Sequence, residues 1–426
     1  LKGPLFSRLW AQSPSVFSKL VPVTGNLLEE GLVFHCAATV KFDEALRLSI
    51  EMNVLGTQRL IALCHMIRNL SVLVHVSTAY ANCDKSSLFE QIYPPPVPPT
   101  KLFEAIDWMD DHMINAMTPF LLGNRPNTYT LTKALAEVQL AEDALQLPVI
   151  IVRPSIIGAM WRDPLPGWTD NINGPTGIFA ACGKGVLTNM CGSNSSKADI
   201  IPVDIVSNLI IVAASYRLNL KCEKIPVVHC CSGTLNPIHW DHIVNFLQCF
   251  FREYPLDQCY RVPSTHFHSS RLLFLLNFYL KHMGPAYIID FFCVLTGRKK
   301  KFTRMYGKVW RMVETLHYFT TRGWNFETNG LLEIWNSISD DDKQVFNFDV
   351  RQIDWDSYLF DYLMGIKRYI LGENLEELPR ARGNLIRLKM YSTLFSAIFW
   401  WSAIRLFARC VFLFLMIFFE FFVLPY

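Results

Sequence analysis

Residues 71–80 read S-V-L-V-H-V-S-T-A-Y, a short apolar run suited to a buried parallel strand, closed by two hydroxyls and an aromatic ring. Working outward, L-V-F-H-C (32–36) has the same character and runs into Ala37-Ala38-Thr39. L-P-V-I-I-V (147–152) ends at Arg153-Pro154-Ser155, and V-V-H-C-C (227–231) ends at Ser232-Gly233. Between these runs the pattern turns helical. Residues 43–69 place Leu46, Ile50, Val54 and Leu55 near helical spacing, and 101–117 resume a helix after the proline-rich loop 94–99. N-T-Y-T-L-T-K-A-L-A-E (127–137) contains no Pro or Gly and is rich in Leu and Ala. Alternating strand and helix is the rhythm of an α/β fold, a Rossmann-like parallel sheet with helices on both faces. Ligands of such sheets sit beyond the carboxyl ends of the strands, which here carry His35-Cys36-Ala37, Ser77-Thr78 and Arg153-Pro154-Ser155.

The totals bound what surrounds this sheet. At 426 residues the chain has room for a sizeable core, and a net charge of +3 excludes an electrostatic argument for nucleic acid. Twelve cysteines are scattered without a C-x-x-C pair, which suits reduced thiols in a cytosolic compartment and no metal site. Leu1–Leu20 reads as a short helical or irregular entry and Val21–Val23 as a strand; no charged-then-apolar leader precedes Pro4. Residues 184–204 alternate Gly-rich turns with a strand-like A-D-I-I-P-V-D. From Pro237 long aromatic and basic helices replace the strands, which divides the chain into a Rossmann-like sheet domain over 1–235 and a helical region over 236–390. The remaining 391–426 form a hydrophobic tail.

Leu394–Ile404 is apolar and so, apart from Glu420, is Cys410–Leu424, with Arg405 and Arg409 between them. Neither half reaches the roughly 20 residues that span a bilayer, so one tilted tail-anchor helix and an embedded hairpin both fit. The basic flank Arg380, Arg382, Arg387 and Lys389 keeps the globular part on the cytosolic side. Arg298-Lys299-Lys300-Lys301 reads as a solvated basic turn.

Tyr129 and Lys133 are four residues apart and share a helical face. An ammonium beside a phenol favours the phenolate, and such a pair can give a proton to a carbonyl oxygen as a hydride reaches the carbon. A lone Tyr-x-x-x-Lys is commonly a solvated helix face. Here it lies between a strand ending in Ser77-Thr78 and a strand ending in Arg-Pro. A hydroxyl at that strand end can polarise the same carbonyl, although strand-end capping would also explain it. Asn53 on the preceding helix is placed to extend a proton relay.

Longer stretches carry a family resemblance. H-C-A-A-T-V-K-F-D-E (35–44), N-V-L-G-T (53–57), V-H-V-S-T-A-Y-A-N-C (74–83) and the Tyr129 helix resemble the alcohol-forming fatty acyl-CoA reductases, extended short-chain dehydrogenases. So do I-V-R-P-S-I-I-G-A (151–159), P-G-W-T-D-N-I-N-G-P-T-G (166–177), I-I-P-V-D (200–204), L-T-G-R-K (295–299) and V-F-N-F-D-V-R-Q-I-D-W (345–355). The resemblance implies reduction of a long-chain acyl-CoA through an aldehyde to a primary alcohol with two NADPH. It implies Tyr129 as proton donor, Lys133 as its tuner and ribose ligand, and Ser77 or Thr78, with preference for Thr78, as the carbonyl's hydrogen-bond donor. Ala37, Ala38 and Asn53 would lie along the dinucleotide, and Pro154, Ser155 and Ile156 near the nicotinamide. It also implies a peroxisomal membrane location with the catalytic part facing the cytosol.

The family opens with a strand, a T-G-x-T-G-F-x-G loop and a helix, none of which residues 1–36 supply. That loop brings backbone N–H groups and a helix N-terminus to the pyrophosphate. The chain carries Gly25-Asn26-Leu27 where the family usually has Gly-Asp-Leu. The expectation is a sheet incomplete at its N-terminus, in a truncated or alternatively spliced relative. The alternative function is then a membrane-anchored form that binds no cofactor.

Overall fold

The computed structural model describes residues 31–422, with side chains through 416. The expectations for Leu1–Leu20, Val21–Val23 and Gly25-Asn26-Leu27 fall outside them. Four parallel strands form the central sheet in the order β1 (Gly31–His35), β2 (Leu70–Val76), β3 (Val149–Pro154) and β4 (Val227–Cys230). Register follows from the pairs Val33↔Leu73, Val74↔Ile150 and Val152↔Val228. Successive side chains along a strand point to opposite faces, and each face is apolar. Leu73, Val149, Ile151 and Val227 pack with Ile61 and Cys64 of helix α1 (Gly56–Met66) and Leu140 of helix α2 (Thr128–Asp143). Val72, Val74, Ile150, Val152 and Val228 meet Val206, Leu209 and Ala213 of helix α3 (Val203–Asn219) on the other side. β2, β3 and β4 are buried on both faces, which explains why each reads as an unbroken apolar run.

The strands lie within a residue or two of their sequence-based limits, and three differences have local causes. Residues 43–69 do not begin as helix until Leu46, and Glu51–Leu55 form a π turn around Asn53. The helix expected over 101–117 is two helices, Pro99–Trp108 and Asp111–Leu122, because Asp110 caps a new start by accepting from the Met113 N–H at 2.8 Å. In A-D-I-I-P-V-D only Ile200–Pro202 is strand, and α3 begins at Val203.

The helical region is built into the sheet domain. One apolar core joins Val74 and Val228 to Phe251, Phe278, Tyr358 and Tyr362, crossing residue 235 without a break. Helix α4 (Phe302–Thr320) leads to Asn325–Phe326, which pairs parallel with Ser87–Leu88. Helix α5 (Leu378–Phe422) is one uninterrupted helix, mostly exposed through residue 416, so the hairpin arrangement of the tail is not the one adopted. All twelve cysteines are free thiols.

On the far side of the sheet, β1 has no strand partner but β2 among the described residues. Its Leu32 and Phe34, which alternate with the β2 core residues, are 53% and 43% exposed.

Candidate active site

Helix α2 supplies the centre of the site. Asn127 caps it by accepting from the Thr130 N–H at 2.9 Å, and nearly every residue from Thr128 to Leu140 is buried. Tyr129, Lys133 and Glu137 follow at i, i+4 and i+8, so one face carries a phenol, an ammonium and a carboxylate into the sheet. Such charges are tolerated in an interior only when partnered.

Each has a partner on a strand end. Tyr129 lines the cleft beside Thr78, and its ring stacks on Phe42 with centroids 5.5 Å apart. Burial pushes the phenol up to about 12, against a smaller opposing pull from the Thr78 hydroxyl, so it is held protonated. The Lys133 Nζ donates to the Val76 carbonyl at 2.8 Å. Burial brings its ammonium down to about 8, with Glu137 and Cys36 pulling the other way. Lys133 is not among the groups that move the Tyr129 phenol, whose position is set by burial. Beside it the His35 and His75 Nδ1 atoms are 2.9 Å apart. Burial lowers both rings, His35 to about 4, with Lys133 adding to the effect, so neither carries charge near neutrality.

The two hydroxyls after β2 have separate surroundings. Ser77 turns inward and donates to Glu137 Oε1 at 2.5 Å. The same carboxylate receives Arg153 Nε at 2.8 Å and Nη2 at 2.6 Å, with both side chains 1% exposed. Arg153 also donates to the Phe89 and Gln91 carbonyls at 3.3 and 2.8 Å. Ser77 therefore belongs to a buried ionic network joining α2 to β3. Thr78 points the other way, toward Tyr129, into an apolar cleft of about 280 Å³.

Thr78, Tyr129, Ser155 and Ile156 line one wall of that cleft. Trp240, Leu316 and Phe319 from the helical region line another, and Asn173, Gly174 and Pro175 close it. Gly174 has φ +58°, a turn that a side chain would strain, and it starts the helix Pro175–Gly183. The motif 166–177 thus folds as a cleft wall. Ala37 is exposed and Ala38 half-buried in the loop after β1, and Pro154 is buried behind Ser155. Asn53 does not reach Tyr129. Its amide holds both backbone groups of Thr39, at 2.9 and 3.3 Å, and donates to Thr132 Oγ1 at 3.0 Å, which fixes that loop.

The turn that carries Thr78 is clamped from the helical region. Tyr80 presents its ring edge-on to Phe319, Trp324 and Phe326 at 5.1, 5.2 and 5.5 Å. Tyr318 Oη and Trp324 Nε1 both donate to the Cys83 carbonyl, at 2.9 and 3.0 Å.

Sequence reading missed Glu137, the distal cleft residues and the aromatic clamp. Glu137 had a signal, since it sits on the Tyr129–Lys133 face of a helix too apolar to be solvated. Trp240, Leu316 and Phe319 had none, being more than a hundred residues from Tyr129.

The arrangement can seat a carbonyl against two hydroxyls in a largely apolar cleft. Comparison with known proteins agrees with a reductase. The NAD-binding family described as male sterility protein matches residues 2–210, and its C-terminal counterpart matches 281–373. Fatty acyl-CoA reductase 1 of Gallus gallus is 40% identical over 401 residues, covering 90% of this chain and 78% of that protein. The Homo sapiens form is 39% identical over 405 residues, 91% of this chain and 79% of its own length. Fatty acyl-CoA reductase 2 of Mus musculus is 37% identical over 414 residues, covering 93% and 80%. Among solved structures, the terminal R domain from the myxalamid PKS-NRPS pathway shares the fold, with a TM-score of 0.51 at 17% identity over 83% of this chain and 76% of that one. With the sheet, the Tyr-x-x-x-Lys helix and identity of this extent, the chain belongs to the fatty acyl-CoA reductase family.

Proposed function

We propose that the chain is built to reduce a long-chain fatty acyl-CoA, through an aldehyde, to a primary alcohol. The observation that carries this reading is the Thr78–Tyr129 hydroxyl pair at the wall of an apolar cleft. When bound, NADPH supplies the hydride for each of the two reductions. Thr78 donates a hydrogen bond to the substrate carbonyl oxygen and draws charge toward it. Tyr129, kept protonated by burial, gives its proton to that oxygen in the aldehyde step. In the first reduction the tetrahedral intermediate of the thioester expels the CoA thiolate. Lys133 holds an ammonium beneath Cys36 and Val76, where it attracts a ribose hydroxyl. The apolar rings of Trp240 and Phe319 accept the acyl chain.

The residues fit the nicotinamide end of the cofactor: Ser155 and Ile156 flank Tyr129, and Asn53 fixes the loop carrying Ala37 and Ala38. NADPH fluorescence titration tests this fit: micromolar affinity supports it, and negligible binding would favour a membrane-anchored relative that does not bind the cofactor. In a version that binds NADPH, Tyr129→Phe is expected to abolish alcohol formation while leaving cofactor affinity unchanged. Retained alcohol formation would remove Tyr129 from the role.

Helix α5 supports membrane attachment. Within Leu375–Met416 an 18-residue stretch reaches a mean hydropathy of 1.7 and is unburied, and Arg380, Arg382, Arg387 and Lys389 precede the apolar part. These charges favour a tail that leaves the globular part in the cytosol, and the family resemblance suggests the peroxisomal membrane as the one it enters.

A further inference from the structure

The segment Arg271–Leu295 is long and apolar enough to cross a bilayer, with a mean hydropathy of 1.2 over 25 residues, yet it is fastened along its whole length. Phe274, Phe278, His282, Ala286 and Asp290 are all buried. A four-residue spacing drifts by ~40° per step around a regular α-helix. The π turn Tyr279–Met283 winds more slowly and takes up that drift, so the five residues stay on one ridge. His282 bonds Thr188 Oγ1 at 3.0 Å, and Phe278 packs on Trp310 at 5.0 Å. The Asp290 carboxylate accepts from the backbone N–H groups of Lys301 and Phe302 at 3.1 Å and of Thr303 at 2.8 Å. A helix held this way cannot thread a membrane without unpacking the core.

Its other face is bare. Leu276, Leu280, Tyr287, Ile288, Phe291 and Leu295 are between 51% and 75% exposed. A continuous apolar strip of this kind marks an interaction surface. The exposed turn Arg298-Lys299-Lys300-Lys301 follows, clasped by Asp290, and Lys300 borders a groove with Tyr287, Ile288 and Phe291. The tail starts on the same side. Lys281 and Tyr260 line one cleft with Leu388, Tyr391 and Phe395 of α5. A flat apolar strip, an adjoining block of cations and an adjacent bilayer-length helix have one complementary partner, an anionic phospholipid surface.

We propose that the outer face of Arg271–Leu295, with the turn Arg298–Lys301, lies in the plane of the membrane. It seats its apolar side chains among the upper acyl chains and its cations on anionic phospholipid headgroups, as a second attachment beside α5. This rests on the reading that α5 enters a bilayer. It places the start of α4 at the membrane surface, and α4 carries Leu316 and Phe319 to the cleft ~21 and ~26 Å away at ~1.5 Å per residue. Acyl substrate thereby has a short route from lipid to Tyr129.

The test uses the full chain in vesicles of phosphatidylcholine with or without phosphatidylserine, carrying a diazirine-bearing phospholipid, with labelled peptides mapped by mass spectrometry. Label is expected within 272–295 as well as within 394–416. The double replacement Leu280→Glu, Phe291→Glu should remove the first and leave the second. Replacing Arg298, Lys299, Lys300 and Lys301 by Gln should lower label in 272–295 by about fivefold or more, equivalent to about 1 kcal/mol for a charge near an anionic surface. That fall should occur only with phosphatidylserine present. Circular dichroism checks that the variants fold, which their solvent-facing positions favour. Label confined to the tail would overturn the proposal. So would cross-links joining the strips of two copies, or accessibility of Gly297 from the far side of the vesicle. If the tail alone goes unlabelled, the anchoring reading fails while the strip still stands or falls on its own label.

Discussion

Glu137→Gln removes one charge from the network beneath the candidate site and keeps its volume. In the native chain the carboxylate receives two Arg153 N–H groups and the Ser77 hydroxyl, and both charged side chains are 1% exposed. The amide that replaces it offers one oxygen to three donors and turns its own N–H groups toward a cation. Taking away one partner of a buried ion pair costs about 3–5 kcal/mol, because the other charge is left uncompensated in a medium where water cannot reach it. Arg153 retains the Phe89 and Gln91 carbonyls, which places the expected loss at about 3 rather than about 5 kcal/mol. Urea unfolding of the detergent-solubilised chain measures it as a lower midpoint at unchanged slope. Arg153→Met and the double variant complete a cycle. The double is expected to be less damaging than the sum of the singles by about 2–3 kcal/mol, since it leaves no orphaned charge. A single-variant loss under about 1 kcal/mol, or strict additivity, would refute the argument that the pair is held by mutual compensation.

Other outcomes follow from the same geometry. In a cofactor-binding version, Thr78→Ala should lower kcat about 10²–10³-fold, the usual loss for one oxyanion donor, whereas Ser77→Ala should spare kcat and cost about 1 kcal/mol of stability; the reverse pattern would exchange their roles. Gly365→Ala should destabilise the chain although Ala favours helices, because the added Cβ would collide with the Gly167 carbonyl; a raised unfolding midpoint would contradict the packing. Stability should also fall above pH 9. Burial raises the folded thiols of Cys83 and Cys182 from 9.0 to about 12 and pushes Cys230 and Cys231 up as well, so the unfolded chain releases these protons first. Lys133 acts with opposite sign between about 8 and 10.5, where the unfolded chain binds the extra proton. The buried thiols outnumber the one ammonium, so urea midpoints should fall between pH 8 and 10. A flat profile would mean that the thiols are solvated.

What could be read in the sequence was what repeats locally. The apolar runs at 71–76, 147–152 and 227–231 are strands buried on both faces, and that burial imposes their composition; the run at 32–36 is the edge strand among the described residues, with Leu32 and Phe34 exposed. Tyr129 and Lys133 share a face because helical geometry requires it. Thr78 and Ser77 could not be separated, since adjacent residues at a strand end differ only in which way the backbone turns them. Glu137 and Arg153 are each visible, but their pairing depends on strand order. The cleft wall from Trp240, Leu316 and Phe319 depends on the path of the whole helical region. The break at Asp110 was missed because apolar periodicity outweighed a single capping residue.

The aromatic clamp on Tyr80 bears on how the chain can be divided. The hydroxyl-bearing turn belongs to the region matched at 2–210, yet its ring contacts and the donors to the Cys83 carbonyl come from 318–326, within the region matched at 281–373. Produced alone, the first region would keep Tyr129 and Lys133 but lose the groups that position Thr78 opposite them. The two regions are therefore a single inheritable unit: a gene fusion, domain swap or expression fragment cut between them severs the site, even where each half keeps its own secondary structure.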